Sequence, residues 1–236
     1  MNIEILPDIA SLARRAAAVI AADARAAVQA RGRFIMAVSG GKTPWLMLRE
    51  LANEQVPWAN VHVLQIDERI APAGDPDRNY EHLRATLLEN APIPEQQIYP
   101  MPVEMADSDA AARQYAQTLE SIAGKPPVLD LAHLGLGPDG HTASLIPNDP
   151  VLNVMDRDVA ITGVYQNRRR MTLTYPVLNR SRRILWLVSG EDKVAALAKL
   201  RRADPSIPGG RVNQSQALLL ADRGAAGEST TDSGSR

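Results

Sequence analysis

Residues 33–52 read RFIMAVSGGKTPWLMLRELA, and this stretch contains the local structures on which the fold class depends. The run 33–38 is mostly apolar, which is typical of a buried β-strand. Ser39-Gly40-Gly41 then makes a turn, and Thr43-Pro44 begins a helix, because a proline in the first helical turn loses no hydrogen bond. A buried strand that passes through a glycine turn directly into a helix predicts an α/β protein with a parallel sheet.

The same alternation of strand and helix continues on both sides of this stretch. Apolar patterns predict helices at 9–28, 45–52, 79–88, 108–122 and 191–200, and strands at 61–66, 128–136, 158–164, 171–174 and 183–188. No repeat or linker interrupts them. We therefore predict a three-layer α/β sandwich around a mainly parallel sheet, a modified doubly wound fold. Residues 1–224 form its single domain, and the small polar residues 225–236 are expected to be a disordered tail.

Composition excludes several functional classes. The 236 residues include 26 basic and 27 acidic side chains, so the net charge of −1 attracts neither nucleic acid nor an anionic membrane. The absence of cysteine excludes disulfides and thiolate chemistry. Apolar runs are far shorter than the ~20 residues that span a bilayer. We expect a cytoplasmic protein that needs neither a membrane nor an obligate protein partner.

Three segments follow predicted strands and carry groups suited to ligand binding. They are Ser39–Pro44, Asp67-Glu68-Arg69 and Gly135–His141. Ligands of open parallel sheets bind beyond the carboxyl ends of the strands. In the first segment, backbone N–H groups and the hydroxyls of Ser39 and Thr43 would form an anion site at a helix N-terminus. A tight turn without a ligand is the alternative.

Two nucleotide-binding motifs are approximated but not met. A Walker A loop would need glycine where Met36 stands, and Pro44 also fits that motif poorly. Gly135, Gly137 and Gly140 match the dinucleotide fingerprint, but Pro147 leaves too little room for the helix that should follow. No cofactor is therefore expected.

His141 is the best candidate for acid–base chemistry, because neutral histidine accepts a proton near pH 7 and a carboxylate such as Asp139 can orient it. His62 and His133 lie in predicted strands, and His82 is expected at the surface. No spacing of ligands predicts a metal site. The basic run 168–170 precedes a strand and could bind phosphate through a guanidinium group, although such runs are more often solvated. Together these residues indicate acid–base chemistry on a small phosphorylated substrate.

Five segments in this order resemble the 6-phosphogluconolactonase family. They are SGGKTP at 39–44, DER at 67–69 with Asn79-Tyr80, GLGPDGHTASLIP at 135–147, RMTLTYPVLN at 170–179 and LWLVSGEDK at 185–193. The resemblance covers residues 1–222 and implies a sugar-phosphate isomerase-like fold. It implies hydrolysis of 6-phospho-D-glucono-1,5-lactone, the second step of the oxidative pentose phosphate pathway.

The resemblance also suggests roles for individual residues. His141 would be the general base, and Asp139 would orient it or bind sugar hydroxyls. Substrate binding would fall to the group made of Ser39, Gly40, Gly41, Thr43, Asp67, Arg69, Asn79 and Arg170. Which of Arg69, Arg169 and Arg170 holds the phosphate stays open. A covalent route through Ser39 or Ser144 is conceivable, but the resemblance does not support it.

Two alternatives remain. Glucosamine-6-phosphate deaminase/isomerases share the fold and the two glycine segments, but their histidine loop typically continues as Ile-Ala-Phe-Asn-Glu-Pro with a catalytic Glu. Here residues 142–147 are Thr-Ala-Ser-Leu-Ile-Pro, and no acid occurs before Asp149. A non-catalytic sugar-phosphate sensor would bind such ligands without turnover, and the His141–Asp139 pair argues against it.

Overall fold

The computed structural model describes residues 1–228. Its strands are β1 Asn2–Leu6, β2 Phe34–Val38, β3 Val61–Gln65, β4 Asp67–Arg69, β5 Ile98–Tyr99, β6 Leu131–Gly135, β7 Val159–Ile161, β8 Arg170–Leu173, β9 Ile184–Val188 and β10 Ala217–Asp222. Its helices are α1 Ile9–Arg31, α2 Lys42–Ala52, α3 Asn79–Leu83, α4 Ser108–Ala123, α5 Tyr175–Arg180, α6 Val194–Arg201 and α7 Arg223–Ala226. A π-helical turn at 84–88 continues α3.

Seven strands form one parallel sheet in the order β1-β10-β9-β6-β2-β3-β5. Successive side chains of a strand point to opposite faces, so each strand contributes to two cores. In β2, Phe34 and Met36 pack with α1 and α2, whereas Ile35 and Ala37 pack on the opposite face with α4 and α5. The predicted three-layer α/β sandwich around a parallel sheet is confirmed.

Helix α1 shows how local sequence produces one outer layer. Asp8 caps its first turn by accepting a hydrogen bond from the Ser11 N–H at 2.7 Å, and Gly32 ends it with φ at 75°. Its buried face is rich in alanine, which lets α1 lie close to the sheet and to α2. Within residues 1–228, no helix combines the length and apolar character needed to span a bilayer.

Several parts of the chain differ from the prediction. The strands near 158–164 and 171–174 exist as β7 and β8, but they belong to a second, three-stranded antiparallel sheet in which β8 lies between β4 and β7. Strands β1, β4, β5 and β10 and helices α5 and α7 were not predicted; β1 is a short edge strand whose first residues are exposed, so its pattern is weak. The helix predicted from 191 begins with a 3-10 turn at 191–193 before α6.

The predicted disordered tail starts too early. Residues Ala225 and Ala226 belong to α7, whose first N–H groups are capped by the Asp222 side chain, and Ala225 is buried. The chain is therefore ordered through at least this helix. The rest of the predicted tail, 229–236, lies outside the described residues.

Candidate active site

A cleft of about 500 Å³ opens at the carboxyl ends of β2, β6 and β9. All but one of the predicted site residues line it: Ser39, Gly40, Gly41, Thr43, Asp67, Arg69, Asn79, His141 and Arg170. The remaining residue, Asp139, is hydrogen-bonded to His141 at the edge of the cleft. Segments that are distant in the sequence therefore meet at one site beyond the carboxyl ends of the strands, as the sequence predicts.

The glycine turn between β2 and α2 has the geometry of an anion site. Gly41 has a φ of 129°, a conformation that side chains disfavour. A Cβ on Gly40 would lie 1.9 Å from Asn79 Oδ1, so only glycine fits beneath that side chain. No side chain caps α2, and its first amide groups therefore face the cleft without a helical partner.

The turn is held from below by a buried histidine. His133 on β6 is fully buried, its Nδ1 accepts a hydrogen bond from the Ser39 N–H at 3.3 Å, and its carbonyl accepts one from the Ser39 hydroxyl at 2.9 Å. Burial lowers the pKa of His133 to about 4, which keeps the ring neutral. The Ser39 hydroxyl is thus used to fix the turn, although its oxygen can still accept a hydrogen bond.

His141 and Asp139 form a hydrogen-bonded pair. The distance between His141 Nδ1 and Asp139 Oδ1 is 2.6 Å, and the same oxygen accepts the His141 backbone N–H at 3.1 Å. Burial opposes ionisation of Asp139, but these bonds and the imidazole outweigh it and hold the pKa of that carboxyl below its usual value. A Cβ on Gly137 would lie 2.1 Å from the His141 ring, so this glycine makes room for the imidazole.

Asp67 and Asn79 are held in place by a buried carboxylate. Glu68 is completely buried and accepts hydrogen bonds from the backbone N–H groups of Arg69, Asn79 and Tyr80 and from the Gln65 amide. Two of those N–H groups belong to the first turn of α3, so Glu68 joins β4 to that helix. Burial raises the pKa of Glu68, although its hydrogen bonds oppose that rise.

The side chains of Asp67 and Asn79 contact each other beside the cleft, and Asp67 also contacts Ser144. Asp67 accepts a 2.6 Å hydrogen bond from the Ser144 hydroxyl and a 3.4 Å one from the Asn79 amide. Asn79 Oδ1 is buried without a hydrogen-bond partner in the part of the chain described. Buried polar atoms are normally paired, and this oxygen instead packs against the backbone of Gly40.

The second sheet selects which arginines face the cleft. Arg69 and Arg170 are opposite each other in the antiparallel β4–β8 pair, so their side chains emerge on the same face. Both line the cleft, whereas Arg169 is exposed and donates to the Thr162 carbonyl. Arg168 forms ion pairs with Asp75 and Asp77 at 2.8 and 3.0 Å.

Four lining residues with polar or charged side chains were not predicted as site residues: Lys42, Ser189, Asp192 and Lys193. Ser189 follows β9 and shares a 2.5 Å hydrogen bond with the Thr43 hydroxyl, which joins the two strand ends. Lys193 is paired with Asp192 at 2.9 Å beside the same edge. Ser189, Asp192 and Lys193 follow β9, so the rule that ligands bind beyond strand ends, applied to β9, predicts these three. Among residues 1–228, no cluster of three His, Asp or Glu side chains is arranged to hold a metal ion.

Comparisons with known proteins agree with this geometry. The sequence profile of the family "Glucosamine-6-phosphate isomerases/6-phosphogluconolactonase" matches residues 7–220. A 6-phosphogluconolactonase of Synechocystis sp. is 37% identical over 225 residues, 93% of each chain. One of Mycobacterium tuberculosis is 38% identical over 239 residues, covering 95% of this chain and 97% of that protein.

Solved structures give the same result. The crystal structure of a 6-phosphogluconolactonase from Thermotoga maritima superimposes with a TM-score of 0.84 and 25% identity, covering 94% of this chain and 98% of that one. The profile match spans both cores and every segment of the cleft. This chain belongs to the glucosamine-6-phosphate isomerase/6-phosphogluconolactonase family.

Proposed function

We propose that this enzyme hydrolyses 6-phospho-D-glucono-1,5-lactone to 6-phospho-D-gluconate, with His141 as general base. The observation that carries the proposal is the 2.6 Å His141–Asp139 pair in a cleft that also contains Arg69 and Arg170. The cations suit a phosphorylated substrate, and the pair suits activation of water. The names of the relatives from Synechocystis and Mycobacterium support the same reaction.

The pair determines which nitrogen of His141 would react. Ionised Asp139 only accepts hydrogen bonds, so Nδ1 carries the proton and Nε2 has the free lone pair. Nε2 takes a proton from water as the water oxygen bonds to C1 of the lactone. The tetrahedral intermediate then collapses, the bond from C1 to the ring oxygen breaks, and that oxygen receives the proton from Nε2. The imidazole returns to its starting state.

Water is favoured over a serine nucleophile. The hydroxyl of Ser144 is fully buried and bonded to Asp67. The hydroxyl of Ser39 is directed to the His133 carbonyl. Both groups are therefore occupied away from the imidazole of His141. A covalent mechanism would need the histidine to contact one of them.

The remaining groups would hold the substrate. Arg170 and Arg69, with Thr43, Ser39 and the first amide groups of α2, would bind the phosphate and the neighbouring hydroxyls. Lys193, which is paired with Asp192, lies at the same edge. Amide groups at Gly40 and Gly41 would stabilise the oxyanion. Burial lowers the pKa of Arg170, and a bound phosphate would stabilise its charged form.

The test follows loss of the lactone, generated in situ, with wild type, with His141→Ala and without enzyme. Because the lactone opens unaided, only a rate above the blank counts. Ammonia release from glucosamine 6-phosphate is measured in parallel. His62→Gln is the matched control, because His62 is a partly buried histidine outside the cleft.

We expect wild type and His62→Gln to accelerate lactone opening and His141→Ala to lose about 10²- to 10⁴-fold of that acceleration. Equal rates for wild type and His141→Ala, both above the blank, would support lactone hydrolysis but contradict the role of His141 as general base. Ammonia release without lactone hydrolysis would establish the deaminase instead. Binding of the sugar phosphate without either reaction would indicate a sensor.

A further inference from the structure

The hairpin between β7 and β8 places an aromatic side chain against the catalytic pair. Tyr165 donates from its hydroxyl to Asp139 Oδ2 at 3.4 Å, while His141 uses the other oxygen, Oδ1. The rings of Tyr165 and His141 meet edge to face, with centroids 5.8 Å apart. Tyr165 thus contacts both members of the pair without lining the cleft itself.

The same residue contacts the arginine proposed to bind phosphate. The Arg170 guanidinium lies 5.0 Å from the centroid of the Tyr165 ring, within the range of a cation–π interaction. Arg170 also donates to Gln166 Oε1 at 3.0 Å, so two neighbouring hairpin residues hold it. Tyr165 therefore contacts the Asp139 carboxylate through its hydroxyl and the Arg170 guanidinium group through its ring.

The hairpin is built to keep Tyr165 in this place. Gln166 and Asn167 have φ values of 50° and 64°, which close a tight turn between Tyr165 and Arg168. The backbone N–H of Tyr165 donates to the Arg168 carbonyl at 2.9 Å. Ion pairs from Arg168 to Asp75 and Asp77 then tie the hairpin to the loop before α3.

We propose that Tyr165 is a positioning residue, which aligns the His141–Asp139 pair through its hydroxyl and Arg170 through its ring. This inference rests on the proposed lactone hydrolysis. The chain has no acid in the loop after His141 that could serve as a third member of the catalytic set before Asp149. Tyr165 supplies a third group from the opposite side, on a different element.

At 3.4 Å the hydroxyl contact is long, and hydrogen bonds in catalytic sites often shorten when substrate binds. Burial raises the pKa of Tyr165, and the Asp139 charge adds to that rise, so the hydroxyl stays a donor at neutral pH. A donor to Asp139 reduces the negative charge that faces the imidazole. Removal of the Tyr165 hydroxyl is therefore expected to strengthen the attraction between Asp139 and a proton on His141.

The test compares Tyr165→Phe, which removes the hydroxyl, with Tyr165→Leu, which removes the ring. Tyr99→Phe is the matched control, because its hydroxyl bonds to His62 outside the cleft. For Tyr165→Phe we expect kcat for the lactone to fall about 3- to 10-fold with KM unchanged, the effect of one hydrogen bond. The acid limb of its kcat/KM profile should move to higher pH. Tyr165→Leu should raise KM as well, because Arg170 loses its support.

A double-mutant cycle with Asp139→Asn provides the second readout. If the hydroxyl acts through Asp139, Tyr165→Phe should cost much less in the Asp139→Asn background than in wild type. Wild-type kinetics for Tyr165→Phe, or the same fold loss in both backgrounds, would overturn the proposal. Activity of wild type above the blank is measured in the same series, so failure of the lactonase assignment would be distinguishable.

Discussion

The two ends of the parallel sheet use charged residues in different ways. At the amino ends of the strands, Arg31 pairs with Asp130 at 2.6 Å and Arg183 pairs with Asp23 at 2.5 Å. At the carboxyl ends, Arg69 and Arg170 have no carboxylate within ion-pair distance among the described residues. They donate instead to the Asp77 carbonyl and the Gln166 amide oxygen.

This difference suggests that the charged residues at one end of the sheet stabilise the fold, whereas those at the other end bind a ligand. An arginine with a carboxylate partner has its charge neutralised by the fold, whereas one held only by neutral oxygens keeps its charge for an anionic ligand. Arg69 and Arg170 are of the second kind, and they line the cleft into which α2 also directs its uncapped N-terminus. Changes at the carboxyl ends should therefore affect catalysis, and changes at the amino ends should affect stability.

The largest effect is expected at the carboxyl end. Replacement of His141 by Asn removes the general base but keeps a polar side chain of similar reach. We expect kcat for the lactone to fall about 10²- to 10⁴-fold, while thermal unfolding changes little. Steady-state kinetics and a melting curve measured on one preparation check both statements. A loss of activity that merely follows a loss of fold would contradict the assignment.

Between the two ends, buried His133 predicts a dependence of stability on pH. Its pKa is lowered to about 4 by burial, whereas an unfolded histidine titrates near 6.5. The unfolded chain therefore gains a proton first as the pH falls. The free energy of unfolding should drop by roughly 3 kcal/mol between pH 7 and pH 4 from this residue alone, and its contribution should level off below that range.

Chemical denaturation at a series of pH values measures this effect. His133→Gln should flatten the acid limb of this profile, because the buried ring that stays neutral in the folded state is then absent. Identical pH profiles for wild type and His133→Gln would show that the histidine takes up protons in the folded state. The account of the glycine turn would then be wrong.

A smaller effect is expected at the amino end. Asp130 is nearly buried, and its carboxylate also accepts the Ile35 backbone N–H at 2.9 Å. Asp130→Asn should lower the free energy of unfolding by about 1–3 kcal/mol, because the charge-assisted bonds are lost. Its kcat and KM should match those of wild type. A change in KM of Asp130→Asn without a change in stability would contradict the claim that the amino ends of the strands serve stability and the carboxyl ends serve catalysis.

Much of this arrangement could be predicted from sequence, because strand, glycine turn and helix are local patterns. The rule that ligands bind beyond strand ends groups Ser39–Thr43 with His141 from the order of these patterns alone. What it could not give was the antiparallel β4–β8 pairing, since the partners are about a hundred residues apart and short. That pairing determines that Arg170, and not Arg169, lines the cleft.

Tyr165 could not be predicted for a similar reason. It follows no strand end, and the turn at Gln166-Asn167 brings it back to the His141–Asp139 pair. Lys193 was missed because the rule was applied to three strand ends and not to that of β9. Long-range packing therefore supplied the residues around the pair, whereas local sequence supplied the pair itself.

The most direct test of the central claim compares a lactone with and without phosphate. We measure kcat/KM for 6-phosphogluconolactone and for unphosphorylated glucono-1,5-lactone with wild type, Arg170→Met and Arg183→Met. Wild type and Arg183→Met should prefer the phosphorylated lactone strongly, and Arg170→Met should lose about 10- to 100-fold of that preference, the effect of a charge-assisted hydrogen bond. An unchanged preference in Arg170→Met, or an equal loss in Arg183→Met, would contradict the account.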